Sequence, residues 1–193
     1  MIMWRKFKNW FNQNFYNREA QLRQRYLDIK NHDVEINGTQ YFLAKAMIPD
    51  IPEILGIERA VYGGQTPWDD RAFRSELMRK NDRLYLVLRR NDWLVAFIGC
   101  SLNDHTKDCH ITNVAVAPNF QNHGLGYFLV TTIIKKARQM QYNKVTLEVR
   151  VSNTRAQKLY RDIGFVDNGV KKDYYFNDRE DALNMMMDIT KIG

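Results

Sequence analysis

A chain of 193 residues, 45% hydrophobic and 26% charged, has the length and balance of one globular domain with a sizeable core. Its net charge of +7 favours an anionic partner, with a phosphate-bearing cofactor, nucleic acid, the ribosome and an acidic membrane surface all open on charge alone. Two cysteines, Cys100 and Cys109, are too few for a disulfide framework and read as reduced thiols in a reducing compartment; no 18-residue apolar run and no apolar leader core are present, so the expected location is cytoplasmic.

In chain order, residues 1–38 form a basic amphipathic extension. Its first 30 residues carry seven bases (Arg5, Lys6, Lys8, Arg18, Arg23, Arg25, Lys30) against two acids, Glu19 and Asp28. Trp4, Phe7 and Phe11 fall on one helical face, and Leu22, Tyr26 and Ile29 continue the spacing after a break near residues 12–17. Two readings stay open: residues 1–36 dock on an anionic membrane or on the ribosome, or the apolar face packs on its own domain or a neighbouring subunit. Asn37-Gly38 marks a turn, and a single domain is expected over residues 39–193.

Within that domain the pattern predicts a strand over 41–47, a helix over 51–61 ended by Gly63-Gly64, and a helix over 71–79 capped by Asp69 or Asp70. Strands over 84–88 and 94–101 flank a turn at 90–92, and a third covers 110–117. That strand stops at Pro118. Gln121-Asn122-His123-Gly124-Leu125-Gly126 follows, then a helix with Leu125, Phe128, Leu129, Ile133, Ala137 and Met140 as its apolar stripe. Glycines at a helix start let main-chain N–H groups approach an anion, and the helix dipole holds it. The spacing therefore points to a phosphate or pyrophosphate site over residues 122–127, against the plainer reading of a glycine turn needed only for packing.

Val145, Leu147, Val149 and Val151 alternate with Thr146, Glu148 and Arg150, which predicts a strand with one polar face. On pattern alone Glu148 is a solvated glutamate. Ser152 or Asn153 caps a short helix that Gly164 ends, with Ala156, Leu159, Tyr160 and Ile163 on its buried side. None of His32, His105, His110 and His123 has metal-ligand spacing, so no metal is expected.

Gln-x-x-Gly-x-Gly after Val114-Ala115-Val116-Ala117-Pro118 resembles the acetyl-CoA pyrophosphate loop of the GNAT superfamily. Leu147-Glu148-Val149-Arg150-Val151-Ser152-Asn153 and Ala156-Gln157-Lys158-Leu159-Tyr160, closing on Gly164-Phe165, are similar to the signatures of the ribosomal-protein-alanine N-acetyltransferases (the RimI type). The resemblance covers about residues 40–190. It implies an α/β chain of the α+β type, with a mixed, mostly antiparallel twisted sheet flanked by helices, and acetyl-CoA as co-substrate. It implies that Glu148 is the general base and Tyr160 the general acid. It places the cofactor on Gln121, Asn122, His123, Gly124, Leu125, Gly126, Tyr127 and Asn153, with the main chain of Val114, Ala115 and Val116 beside the pantetheine arm. The acceptor it implies is a protein or peptide N-terminus, the N-terminal alanine of a small-subunit ribosomal protein. A small-molecule amine, a lysine, or a CoA-binding module without catalysis are the alternatives.

Overall fold

The computed structural model describes residues 21, 24–175 and 177–190. The aromatic and basic positions singled out over residues 1–20, with Leu22 and Arg23, lie outside those residues. Among the described residues the strands and α-helices of the domain follow in the order β1 (His32–Ile36), β2 (Thr39–Lys45), α1 (Ile51–Val61), α2 (Asp70–Met78), β3 (Arg83–Arg90), β4 (Trp93–Asn103), β5 (Asp108–Val116), α3 (Leu125–Gln139), β6 (Lys144–Arg150), α4 (Thr154–Ile163), β7 (Val166–Tyr175) and β8 (Glu180–Asp188). The strands make one eight-stranded sheet in the order β1-β2-β3-β4-β5-β6-β8-β7. Every pair is antiparallel except β5 with β6, so the sheet is mixed and the fold is α+β.

The sheet begins inside the segment that the sequence assigns to the extension. β1 pairs with β2 from His32↔Leu43 to Ile36↔Thr39 around Asn37-Gly38, whose φ angles of 49° and 76° suit a two-residue hairpin. Leu27 is fully buried, and Tyr26 and Ile29 pack on the same core. The Asn-Gly turn here joins two paired strands and Leu27 lies in the core, so residues 27 and 32–36 pack with the domain.

Both faces of the sheet are covered, which is why β3 reads as an unbroken apolar run. Leu84, Leu86 and Leu88 face one core with Leu129, Ile133 and Ala137 of α3. Tyr85 and Val87 face the other with Ile51, Ile54 and Ile57 of α1 and Phe73 of α2. Helix ends follow local chemistry. Asp69 accepts from the Ala72 N–H (2.8 Å), Asn153 accepts from the Ala156 N–H (3.1 Å), and Gly164 (φ 115°) ends α4.

One glycine shapes the centre of the sheet. A Cβ on Gly99 would stand 2.1 Å from the Tyr85 ring. That ring is fixed, because its hydroxyl donates to Asn113 Oδ1 (3.1 Å) and lies 3.2 Å from Thr112 Oγ1. Gly99→Ala should therefore destabilise the fold by about 1–3 kcal/mol; denaturant unfolding of the two proteins measures it.

Candidate active site

The site opens where two neighbouring strands separate. β5 pairs with β6 only from Asp108↔Lys144 to Ile111↔Leu147. Beyond that point β5 keeps β4 on its other side, and the register slips between Gly99 and Cys100, opposite Thr112. The main chain of residues 112–116 thus has one ladder, and its β6 side is free to pair with an extended ligand. A cavity of about 730 Å³ fills the gap, lined by Asn113 and Val114 of β5, Glu148 and Arg150 of β6, Asn153, Ala156 and Tyr160 at α4, Glu58 and Tyr62 of α1, and Trp68, Tyr174 and Tyr175.

Glu148 sits at the fork, its side chain only 7% exposed. Oε1 accepts from Lys171 Nζ at 2.6 Å. Oε2 lies 3.0 Å from His110 Nε2 and accepts from the Tyr174 hydroxyl at 3.3 Å. His110 Nδ1 is 2.9 Å from Thr146 Oγ1, which donates to Asp108 Oδ1 at 3.0 Å, so a hydrogen-bonded chain runs from the carboxylate along the β5–β6 seam. Burial raises the Glu148 pKa, but the His110 and Lys171 contacts outweigh it and hold the carboxyl down to about 2.

Tyr160 is buried, its ring 5.8 Å from Phe165, and burial raises its pKa well above the ordinary phenol value. It lines the same cavity as Glu148, Asn153 and Val114. Asn153 spends its side-chain oxygen on capping α4, which leaves its amide N–H₂ as the group to offer a ligand. Ala115 is buried, and the Val116 carbonyl accepts from Gln121 Nε2 (3.1 Å), which ties the strand end to the loop.

The loop over residues 121–127 lies at the other end of β5. Asn122 (φ 67°) and Gly124 (φ 84°) take left-handed conformations, and Asn37 Nδ2 donates to the His123 carbonyl (3.1 Å). No side chain caps the start of α3, so its first N–H groups are available to an anion. Leu125 contributes main chain only, since its side chain is in the core, while Tyr127 is half exposed. Arg155 in the first turn of α4 reaches across to Gln121 Oε1 (3.1 Å) and to Asn122 Oδ1. An uncapped helix start beside a guanidinium fits a diphosphate, and the free edge of β5 fits the amide-bearing arm that leads from it.

The structure thus groups Glu148, Tyr160, Asn153 and Val114 around one cavity and places residues 121–127 apart from it, joined through β5. Sequence reasoning missed His110, Lys171, Tyr174, Arg155 and Glu58. Arg155 was the one within reach, two residues past the Asn153 cap. His110, Lys171 and Tyr174 are brought in by strands distant in sequence, and Glu58 by a helix packed at the same cavity.

The Acetyltransferase (GNAT) family matches residues 48–165. Among curated proteins, the putative [ribosomal protein bS18]-alanine N-acetyltransferase of Bacillus subtilis is 31% identical over 144 residues, 75% of this chain and 93% of that protein. The [ribosomal protein bS18]-alanine N-acetyltransferase of Escherichia coli K12 is 29% identical over 143 residues, 73% of this chain and 93% of that protein. The crystal structure of the ribosomal-protein-S18-alanine N-acetyltransferase from Escherichia coli superposes with a TM-score of 0.69 at 27% identity, covering 79% of this chain and 96% of that one.

Proposed function

Since the chain belongs to the Acetyltransferase (GNAT) family and is an acetyl-CoA-dependent N-acetyltransferase, we propose that it acetylates the N-terminal α-amine of a protein, with the N-terminal alanine of a ribosomal protein as acceptor. The observation that carries this reading is that Glu148 and Tyr160 face one cavity at the fork of β5 and β6. Bound acetyl-CoA supplies an acetyl thioester, whose carbonyl the acceptor amine attacks as the CoA thiol leaves.

The protein's residues do the rest. The uncapped α3 start and Arg155 hold the diphosphate, and the free edge of residues 114–116 aligns the arm. Glu148 takes the amine proton, directly or through water. An α-amine near pKa 8 costs about 1 kcal/mol to deprotonate at pH 7, and a lysine near 10.4 about 4–5 kcal/mol, so one strand carboxylate suits the α-amine better. As long as Lys171 and His110 hold Glu148, it is a weak base. An incoming ammonium that takes the place of Lys171 keeps the charge balance and leaves the carboxylate with a proton donor beside it. Tyr160 faces the leaving sulfur and supplies its O–H.

The deciding experiment follows CoA release with an Ala-initiated peptide, the same peptide N-blocked but carrying lysine, and spermidine. Turnover of the first is expected; turnover of spermidine or lysine alone overturns the α-amine reading. Arg155→Ala should raise the acetyl-CoA dissociation constant about 3- to 10-fold, the effect of one partly solvated charge-assisted contact, with kcat little changed. Titration calorimetry measures it.

A further inference from the structure

Glu58 is a charged side chain in the wrong place for a surface helix. It lies in the last turn of α1, is 2% exposed, and lines the cavity that holds Glu148 and Tyr160. Its carboxyl accepts from the Trp68 main-chain N–H, yet Oε2 has no hydrogen-bond partner among the described residues. A buried carboxylate oxygen without a partner is destabilising, and such groups persist where a ligand completes them. Tyr62, Trp68, Tyr160 and Tyr175 line the same cavity, and the Arg150 guanidinium that also lines it lies 4.0 Å from the Tyr175 ring centroid and is already paired with Asp178 and Glu180. The segment covering it turns at Gly63 and Gly64, with φ of 62° and 93°.

We propose that Glu58 is the acceptor-recognition carboxylate: its free Oε2 receives an N–H of the acceptor's ammonium and holds that end of the acceptor in the Glu148 cavity. This deepens the acetyltransferase reading and rests on it. The acceptor class is a protonated amine carried on a chain short enough at its end to pass the aromatic wall. Glu58 then selects the cation, and Glu148 removes its proton. A purely structural role, tying α1 to the Trp68 segment, needs only an oxygen that accepts from the Trp68 N–H, and glutamine keeps one.

The test compares wild type with Glu58→Gln on an Ala-initiated peptide. The acceptor KM should rise about 10- to 100-fold, the effect of losing one charge-assisted hydrogen bond, while kcat stays within about 3-fold. The acetyl-CoA dissociation constant should not change, and Tm should hold or rise as an unpaired buried charge is removed. A second measurement uses the same peptide with an N,N-dimethylated terminus, which keeps the charge and one N–H but yields no stable amide. It should compete with the peptide on wild type and lose about 10-fold or more in potency on the variant. Equal KM and equal inhibition in the two proteins overturn the proposal. If wild type turns over spermidine or lysine and not the peptide, the N-terminal reading falls, and the same KM comparison on that amine still decides Glu58.

Discussion

Glu148→Gln should lower kcat about 10²- to 10⁴-fold, the range for loss of a positioned proton acceptor, and leave the acetyl-CoA dissociation constant unchanged. Glutamine keeps the size and one accepting oxygen, so the Lys171 contact at 2.6 Å can persist and the fold is preserved. It cannot take a proton. The proposed diphosphate end at residues 121–127 is untouched, so binding and chemistry should separate, and steady-state kinetics with calorimetry reads both. The pH dependence follows from the direction of the shift. The Glu148 carboxyl is held down to about 2, so it is ionised across the working range and the acid limb of kcat/KM reports the acceptor amine together with Glu58, whose carboxyl is pushed up to about 7, rather than Glu148. Its ion pairs contribute stability fully above the ordinary carboxylate pKa of about 4.5, and that contribution is lost as pH falls toward about 2. The stability gap between wild type and Glu148→Gln should therefore shrink over that acid window in thermal melts. An unchanged kcat in the variant removes Glu148 from the chemistry.

Tyr160→Phe should lower kcat about 10- to 100-fold, with the acceptor KM and Tm nearly unchanged. Only an oxygen is lost, and the ring keeps its place 5.8 Å from Phe165. The size of the effect follows from burial. Desolvation raises the Tyr160 phenol above the ordinary value near 10, while a thiol titrates near 8.5, so complete proton transfer to a thiolate is uphill. In the proposed reaction the hydroxyl therefore acts chiefly as a hydrogen-bond donor to sulfur as negative charge develops there, and a hydrogen bond to a charged group is worth about 1.5–3 kcal/mol. The same shift keeps the phenol protonated well into alkaline pH, so no basic limb should arise from Tyr160 below about pH 10. Measuring kcat against pH for the two proteins tests both statements, and an effect on Tm alone would make Tyr160 a core residue.

Much of the fold was legible because its signals are local. Asp69 and Asn153 cap α2 and α4 as their positions before helical stripes predict, and Gly124 and Gly164 stand where main chain must turn left-handed. The helix over 51–61 and the strands on either side of the turn at 90–92 come from periodicity and turn chemistry alone. Asn37-Gly38, read as a turn, is the hairpin turn between β1 and β2. One local signal misled. Alternation along β6 read Glu148 as solvent-facing, whereas its side chain is nearly closed off from solvent. A period of two separates the faces of a strand but does not say which is wet.

The sequence pattern by itself determined the helices and strands between residues 41 and 164 and the glycine loop at the start of α3, because each rests on residues within one turn or one strand of each other, while Glu148 and Tyr160 came forward as a pair only through the resemblance of their motifs to a family. Only the tertiary structure decided the chemistry around them. His110 comes from the parallel neighbour β5 and Lys171 from β7, so the low pKa of Glu148 is a product of strand order across the sheet. Glu58 is an ordinary helix glutamate until the segment carrying Trp68 closes over it, when burial pushes its carboxyl up to about 7. Electrostatic environment depends on distance and desolvation in space, and Glu58, Glu148 and Tyr175, 27 to 117 positions apart in the chain, line one cavity only because the sheet forks between β5 and β6.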